Sequence, residues 1–426
     1  MINLINLCTI VMTSLLLMYT VKRIYRNQFS ILHIIAVTFF IIQVLPLLIV
    51  PFFDWGAVHR ITPYMYEAMC DEYTSIIYDL FVIVSMVLLV AIGDRYSYMA
   101  YRTNRDIRAY ILSGKFRKVL YMITSLTMFA PLIAILFAPE KEVYLQYAYF
   151  TKNTVLYTSE IYLYHTSVMH LCEYLALVSI VANYLFKNKN KSNIYIIIAI
   201  FLTTWVDGKR TVFTFCLLAI IAIDFLLETN NIKRVRNKAV LFAILIVAYF
   251  IIYSLLTGKN TNENAFNVYL NYFSRLGHVK LAIFSRIYDS KIVDYEGQSL
   301  LYNLTFFIPR AFWSNKPYGF YKYFTSYAFY GTTNKDVGIN LQVNMFSEFI
   351  ANLGLLGYLI LFIFILFIVK KSERSANFLL YSVGMIFLVF YTLFGFEGTT
   401  MIIFILWEML MIKERFGVTK KRNATV

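Results

Sequence analysis

The sequence predicts an all-α polytopic membrane protein, and three observations carry that prediction: composition, segment length and the placement of basic residues. Hydrophobic residues make up 60% of the 426 and charged residues only 15%, whereas a soluble domain carries about a quarter charged. A helix needs about twenty apolar residues to cross a bilayer. Stretches of that order recur near 3–21, 30–52, 76–93, 119–138, 161–186, 194–206, 211–227, 239–256, 350–369, 376–395 and 400–412, which gives about eleven spans. With the N-terminus outside, the segments 22–26, 94–118, 187–193, 228–238, 370–374 and 413–426 are cytoplasmic and hold 25 of the 39 Lys and Arg, the bias that such loops show. The net charge of +15 is mostly this bias and is poor evidence for a nucleic-acid partner, and none is expected.

Taken in order, the first span lacks a basic n-region and a small-residue cleavage site, so it reads as a retained helix and not a signal peptide. The third carries Asp79 near its outer end. The fifth carries His165, His170 and Glu173; Glu173 lies three residues from His170 on one helix face, either in a structural hydrogen-bond network or lining a cavity. The sixth and eleventh spans are short for a full crossing, and spans six and seven are joined outside by the short turn Asp207-Gly208-Lys209-Arg210. That turn reads as a solvated hairpin tip or as an anion site, since a helix N-terminus favours negative charge and an arginine fork suits phosphate. Asp224 and Glu408 lie near the cytoplasmic ends of their spans, where an acid is solvated or paired. Cys8, Cys70, Cys172 and Cys216 form neither a disulfide framework nor a metal spacing, and no metal or cofactor is expected.

Between spans eight and nine the hydrophobic pattern stops for 93 residues, Thr257 to Phe349, with nine basic residues. The chain therefore divides into 1–256 with eight spans, an external loop over 257–349, and 350–426 with three spans and a basic tail. Residues 264–289 read as an amphipathic helix. At about 100° per residue, Arg275, His278 and Arg286 share one face and Lys280 points about 140° away. Pro309-Arg310 and Lys316-Pro317 present two cations from irregular backbone, the Tyr- and Phe-rich 318–330 suits an interface, and Glu348 and Asn352 stand one helical turn apart before span nine.

Four features resemble the Wzy-type polymerases of lipid-linked oligosaccharide repeat units, which assemble O-antigens and capsules. They are the turn Gly208-Lys209-Arg210, the large loop before the last spans, Gly297 through IPRAFWSNKP at 308–317, and SEFIANLGLLG at 347–357; Arg286 to Gly297 also fits an Arg-to-Gly spacing described in some members. The resemblance covers roughly residues 190–370. It implies a GT-C-like bundle in the bacterial cytoplasmic (inner) membrane with its active site facing outside. An undecaprenyl-diphosphate-linked glycan would be the donor and a second lipid-linked unit the acceptor, among membrane lipids, with a polysaccharide chain-length regulator as a further candidate partner. Lys209, Arg210, Arg275, Arg286, Arg310 and Lys316 are then the expected diphosphate ligands. His278 is the first choice of general base, followed by Glu348 and Asp207. An O-antigen ligase and a lipid-linked oligosaccharide flippase remain open as alternatives.

Overall fold

The computed structural model describes residues 4–26, 28–49, 62–103, 115–152, 159–186, 194–208, 210–227, 232–257, 269, 274–306, 308, 312–333, 335, 337, 340–375, 377–396 and 398–423. Among them every regular element is helical, as lipid requires of a chain that must satisfy its own backbone polar groups. Among the described residues six helices are long and apolar enough to cross a membrane: Ile5–Tyr25, Ile31–Ile49, Glu72–Ser97, Lys118–Leu136, Glu160–Tyr184 and Met345–Arg374. Ile194–Val206, Val212–Asp224 and Leu379–Phe394 are apolar but shorter. The remaining two apolar stretches of the sequence lie within the helices Ile232–Thr257 and Gly398–Asn423.

In chain order the principal helices are α1 (Leu4–Tyr25), α2 (Ile31–Ile49), α3 (Pro63–Cys70), α4 (Glu72–Thr103), α5 (Lys115–Thr127), α6 (Ala130–Leu136), α7 (His170–Phe186), α8 (Ile194–Asp207), α9 (Arg210–Leu227), α10 (Ile232–Thr257), α11 (Leu276–Ile287), α12 (Gln298–Thr305), α13 (Phe320–Tyr330), α14 (Met345–Arg374), α15 (Phe378–Phe394) and α16 (Gly398–Asn423). The chain forms two compact units, one of residues 1–105 with 266–426 and one of 106–265.

In the first unit α4 packs on α1, α2 and α14, and α15 packs on α14 and α16. Its core holds Phe39, Phe81 and Phe346, with Phe39 and Phe81 edge-on to Phe346 at 5.1 and 5.5 Å between ring centroids. Arg23 Nε donates to Asp94 at 2.9 Å, and the buried Glu373 accepts the amide of Ile31 at the start of α2, 2.6 Å away. α11 lies against α3, α4 and α14, so it is wrapped on several sides.

Two helices of this unit are broken, each for a readable reason. Pro46 has no N–H to donate one turn back, and α2 widens into a π turn over Phe40–Val44. The carbonyls of Ile41 and Ile42 instead receive the hydroxyl of Tyr269 and the amide of Arg275. In α14, Gly354 adopts φ 60°, ψ −136°, a region accessible essentially only to glycine, and the helix kinks there.

In the second unit α7 packs on α5, α6, α8 and α9, and α10 packs on α9. A π turn, His165–Met169, leads into α7, and His165 stacks on Phe150 at 3.9 Å. His170 Nε2 lies 3.9 Å from Glu173, as the three-residue spacing predicts. Asp224 is paired with Lys238 and accepts Tyr184 at 2.6 Å. Asn183 binds α5 through Thr124 and Ser125.

Candidate functional site

Between α8 and α9, Gly208 takes the left-handed conformation at φ 63°, the usual helix stop, and α9 begins at Arg210. Asp207 closes α8 and Arg210 opens α9, so both stand at helix ends as expected. Lys209 and Arg310 lie outside the described residues.

The loop cations are placed differently from the helical-wheel expectation. α11 begins at Leu276, not at 264. Arg275 precedes it in non-helical backbone, φ −122° and ψ 9°, because its amide is engaged by Ile42 and its side chain is drawn inward. Only 2% of Arg275 is exposed. Its guanidinium donates to the carbonyls of Leu393, at the end of α15, and Ser274, and to Gln342 Oε1, at 3.0–3.3 Å. The predicted common helical face of Arg275, His278 and Arg286 therefore does not extend to Arg275.

Arg286 performs a similar task for α14. Within a helix the carbonyls of residues 350 and 351 would accept from the amides four residues on, and the break at Gly354 denies them those partners. Arg286 Nε donates to Ile350 O at 3.2 Å and Ala351 O at 3.0 Å, and Nη2 donates again to Ala351 O. Its Nη1 reaches Glu296 at 3.0 Å. Lys316, buried over the ring of Tyr302, donates to Phe306 O at 2.8 Å and Ile308 O at 2.9 Å, just past the end of α12. All three cations meet carbonyl ends of helices, where the helix dipole favours positive charge.

His278 stacks on Phe324 with ring centroids 5.1 Å apart and planes 8° from parallel. Burial, reinforced by the Arg275 charge, pushes its pKa well below the ordinary histidine value, so the ring is neutral at physiological pH. Lys280 is 5% exposed, donates to Ser75 Oγ at 2.8 Å and lies over Tyr78. Burial lowers its pKa to about 8. The reason is that α11 is covered on both faces.

Glu348, 1% exposed, accepts Ser299 Oγ at 3.0 Å and Asn303 Nδ2 at 2.7 Å. Asn352 donates to Ser299 Oγ at 2.8 Å and to Glu348 O at 2.7 Å. The expected one-turn pair thus becomes a closed network that fastens α12 to the first turns of α14.

A cleft of about 620 Å3 opens beside this layer, lined by Tyr64, Glu67, Cys70, Asp71, Phe284, Tyr288, Ser290 and Tyr327. Asp71 ends α3 and caps α4, accepting Thr74 N at 2.8 Å and the Tyr288 hydroxyl at 2.7 Å. Burial works to raise its pKa, but those hydrogen bonds outweigh it and leave the carboxyl below its usual value. Tyr327 donates to Ser290 at 2.7 Å, and its ring lies 5.7 Å from that of Tyr64. Of this lining the sequence points to Phe284 and Tyr288 in the helix expected over 264–289, to Tyr327 in the aromatic stretch 318–330 and to Cys70 as an external cysteine, but not to Tyr64, Glu67 or Asp71. The aromatic and acidic run PYMYEAMCDEY at 63–73 was the available signal.

Compared with protein-family models, curated proteins and solved structures, the chain matches none. Among the described residues no group of three or more His, Cys, Asp and Glu could hold a metal ion.

Proposed function

We propose that the chain is a polymerase of lipid-linked oligosaccharide repeat units. On this reading it is a GT-C-like glycosyltransferase of eleven spans with its N-terminus outside, acting at the outer face of the bacterial cytoplasmic membrane. One observation carries the reading over a transporter. Asp224 is paired with Lys238 and Asp94 with Arg23, whereas an open cleft with carboxylates and tyrosine hydroxyls lies against the layer inserted before α14. Intramembrane charges that mark transport paths should face a wet cavity. The two segments that build the cleft, 64–71 and 284–327, are also segments that the basic-residue bias assigns to one side of the membrane.

In the reaction, an acceptor hydroxyl oxygen forms a bond to the donor's anomeric carbon. The bond from that carbon to the lipid diphosphate breaks, and the electron pair leaves with the diphosphate. Positive groups must meet that leaving anion. Lys209, Arg210 and Arg310 are the candidates, since Arg275, Arg286 and Lys316 are occupied by helix ends. The acceptor's proton passes to a carboxylate, for which Asp207 stands in the same turn as Lys209 and Arg210. His278 and Glu348 fit better as groups that hold the layer together.

The test is the surface glycan of a deletion strain. Single repeat units in place of a ladder, with the ladder restored by the intact gene, are expected. Lipid-linked units trapped in the cytoplasmic leaflet would instead mean a flippase, and polymer left on its lipid carrier would mean a ligase.

A further inference from the structure

We propose that the cleft between α3, α11 and α13 binds a cationic saccharide, a run of sugar rings bearing protonated amino groups. The assignment rests on the proposed function only in taking the ligand to be a saccharide. At about 620 Å3 the cleft falls in the range of ligand sites, roughly 300–1,000 Å3. Its walls pair apolar faces with hydroxyls: Tyr64, Tyr288, Tyr327 and Phe284 supply rings, and Ser290 adds a further hydroxyl. Tyrosine joins a stacking face to a polar tip, which matches the apolar faces and hydroxyl rims of sugar rings.

Charge narrows the ligand class. Glu67 and Asp71 line the cleft, and no Lys or Arg is among its lining residues. An anionic sugar would meet like charge. A neutral sugar would gain hydrogen bonds alone, whereas an ammonium group gains a charge-assisted bond to a carboxylate and attraction to the ring faces.

The walls are fixed before any ligand arrives. Tyr288 is tied to Asp71, and Tyr327 to Ser290. Tyr64 closes on Gly331, which sits at φ +66°, where an added Cβ would come within 2.4 Å of the ring. Preorganisation of this kind favours affinity.

The experiment uses the full-length protein in lipid nanodiscs and three probes: a glucosamine hexamer, its N-acetylated counterpart and an oligogalacturonate. Binding is measured by calorimetry and by protection of Cys70, an exposed free cysteine in the cleft, from a maleimide. The glucosamine hexamer should bind and slow Cys70 labelling, the neutral oligomer should bind about tenfold more weakly, and the anionic one should not bind. E67Q and D71N should each weaken the cationic probe by about tenfold, as expected for one lost charge-assisted bond. Glu67 is exposed and Asn caps a helix as well as Asp, so both variants should fold. Absence of glucosamine-hexamer binding, or unchanged binding in the double variant, would overturn the assignment. So would displacement by tetramethylammonium at a comparable concentration, since the site would then be an ammonium cage. If the probe binds but deletion leaves the polymer intact, the cleft stands and the polymerase reading falls. The opposite pair of results removes the cleft and keeps the activity.

Discussion

Replacing Arg286 separates a structural cation from a catalytic one. Its guanidinium supplies donors to Ile350 O and Ala351 O, both orphaned by the break at Gly354. A hydrogen bond from a charged donor contributes about 1.5–3 kcal/mol. Two such acceptors would set an upper bound near 6 kcal/mol, but the side chain is 25% exposed and water will reach part of the gap. We expect Arg286→Ala to cost about 2–4 kcal/mol and Arg286→Lys roughly half of that, because an ammonium lacks the planar fork. Glu296 is the internal control: it is 61% exposed, and exposed pairs contribute little, about 0–1 kcal/mol, so Glu296→Ala should be nearly silent. The assay is thermal unfolding of the purified variants in one detergent, run beside the glycan ladder they support in cells. Arg286→Ala with an unchanged melting temperature and a lost ladder would refute the capping argument and return Arg286 to the diphosphate.

Gly354→Ala should destabilise by about 1–3 kcal/mol; its Cβ would meet only Arg286 Cδ at 4.0 Å, so the cost lies in the backbone, and a neutral result in the same melting assay would count against the kink. Lys280, with a folded pKa of about 8 against an ordinary lysine value of 10.5, binds fewer protons folded than unfolded between those limits. Stability should therefore rise from pH 8 to 10.5, by something on the order of 3 kcal/mol, in a melting series where wild type is compared with Lys280→Met; a flat difference would show that Lys280 is not desolvated. His278→Phe keeps the stack on Phe324 and should preserve polymerisation and its pH profile, whereas a fall of about 10²–10⁴ in rate at normal stability would restore the histidine as base. An impermeant maleimide added to whole cells of a Cys8→Ser strain should label Cys70, and labelling only after the membrane is opened would reverse the proposed orientation.

The helical architecture was legible because hydrophobicity and length are local properties: the predicted apolar stretches fall on helical segments, with that near 119–138 divided between α5 and α6 and six helices among the described residues long and apolar enough to cross a membrane. Small motifs whose geometry is local were legible too. Gly208 stops α8 with a positive φ, and His170 approaches Glu173 on one face. The helical wheel failed where packing decided the outcome. It treated 264–289 as one amphipathic surface, yet α11 is covered on several sides, and Lys280 is buried with a serine partner. The cleft was hidden for another reason. It joins Tyr64, Glu67 and Asp71 to Tyr288 and Tyr327, more than 200 residues apart in the chain, and no periodicity reports such a pairing.

The basic residues of the loop carry the deeper lesson. A sequence shows a cation but not the anion or dipole it faces, and phosphate oxygens and helix-end carbonyls ask for the same donors. Here the carbonyls have the prior claim on three of them. Irregular backbone near a membrane leaves carbonyls that water cannot reach, and breaks such as the one at Gly354 and the ends of α12 and α15 create them. Arg286, Lys316 and Arg275 meet that need. Their substitution will lower activity whether or not they touch substrate, so loss of polymer alone cannot identify a diphosphate ligand. Arg210 carries the sharper test: Arg210→Lys keeps the charge and removes the fork. A strongly reduced ladder at normal melting temperature is expected there, and a wild-type ladder in Arg210→Ala would remove the α8–α9 turn from the site.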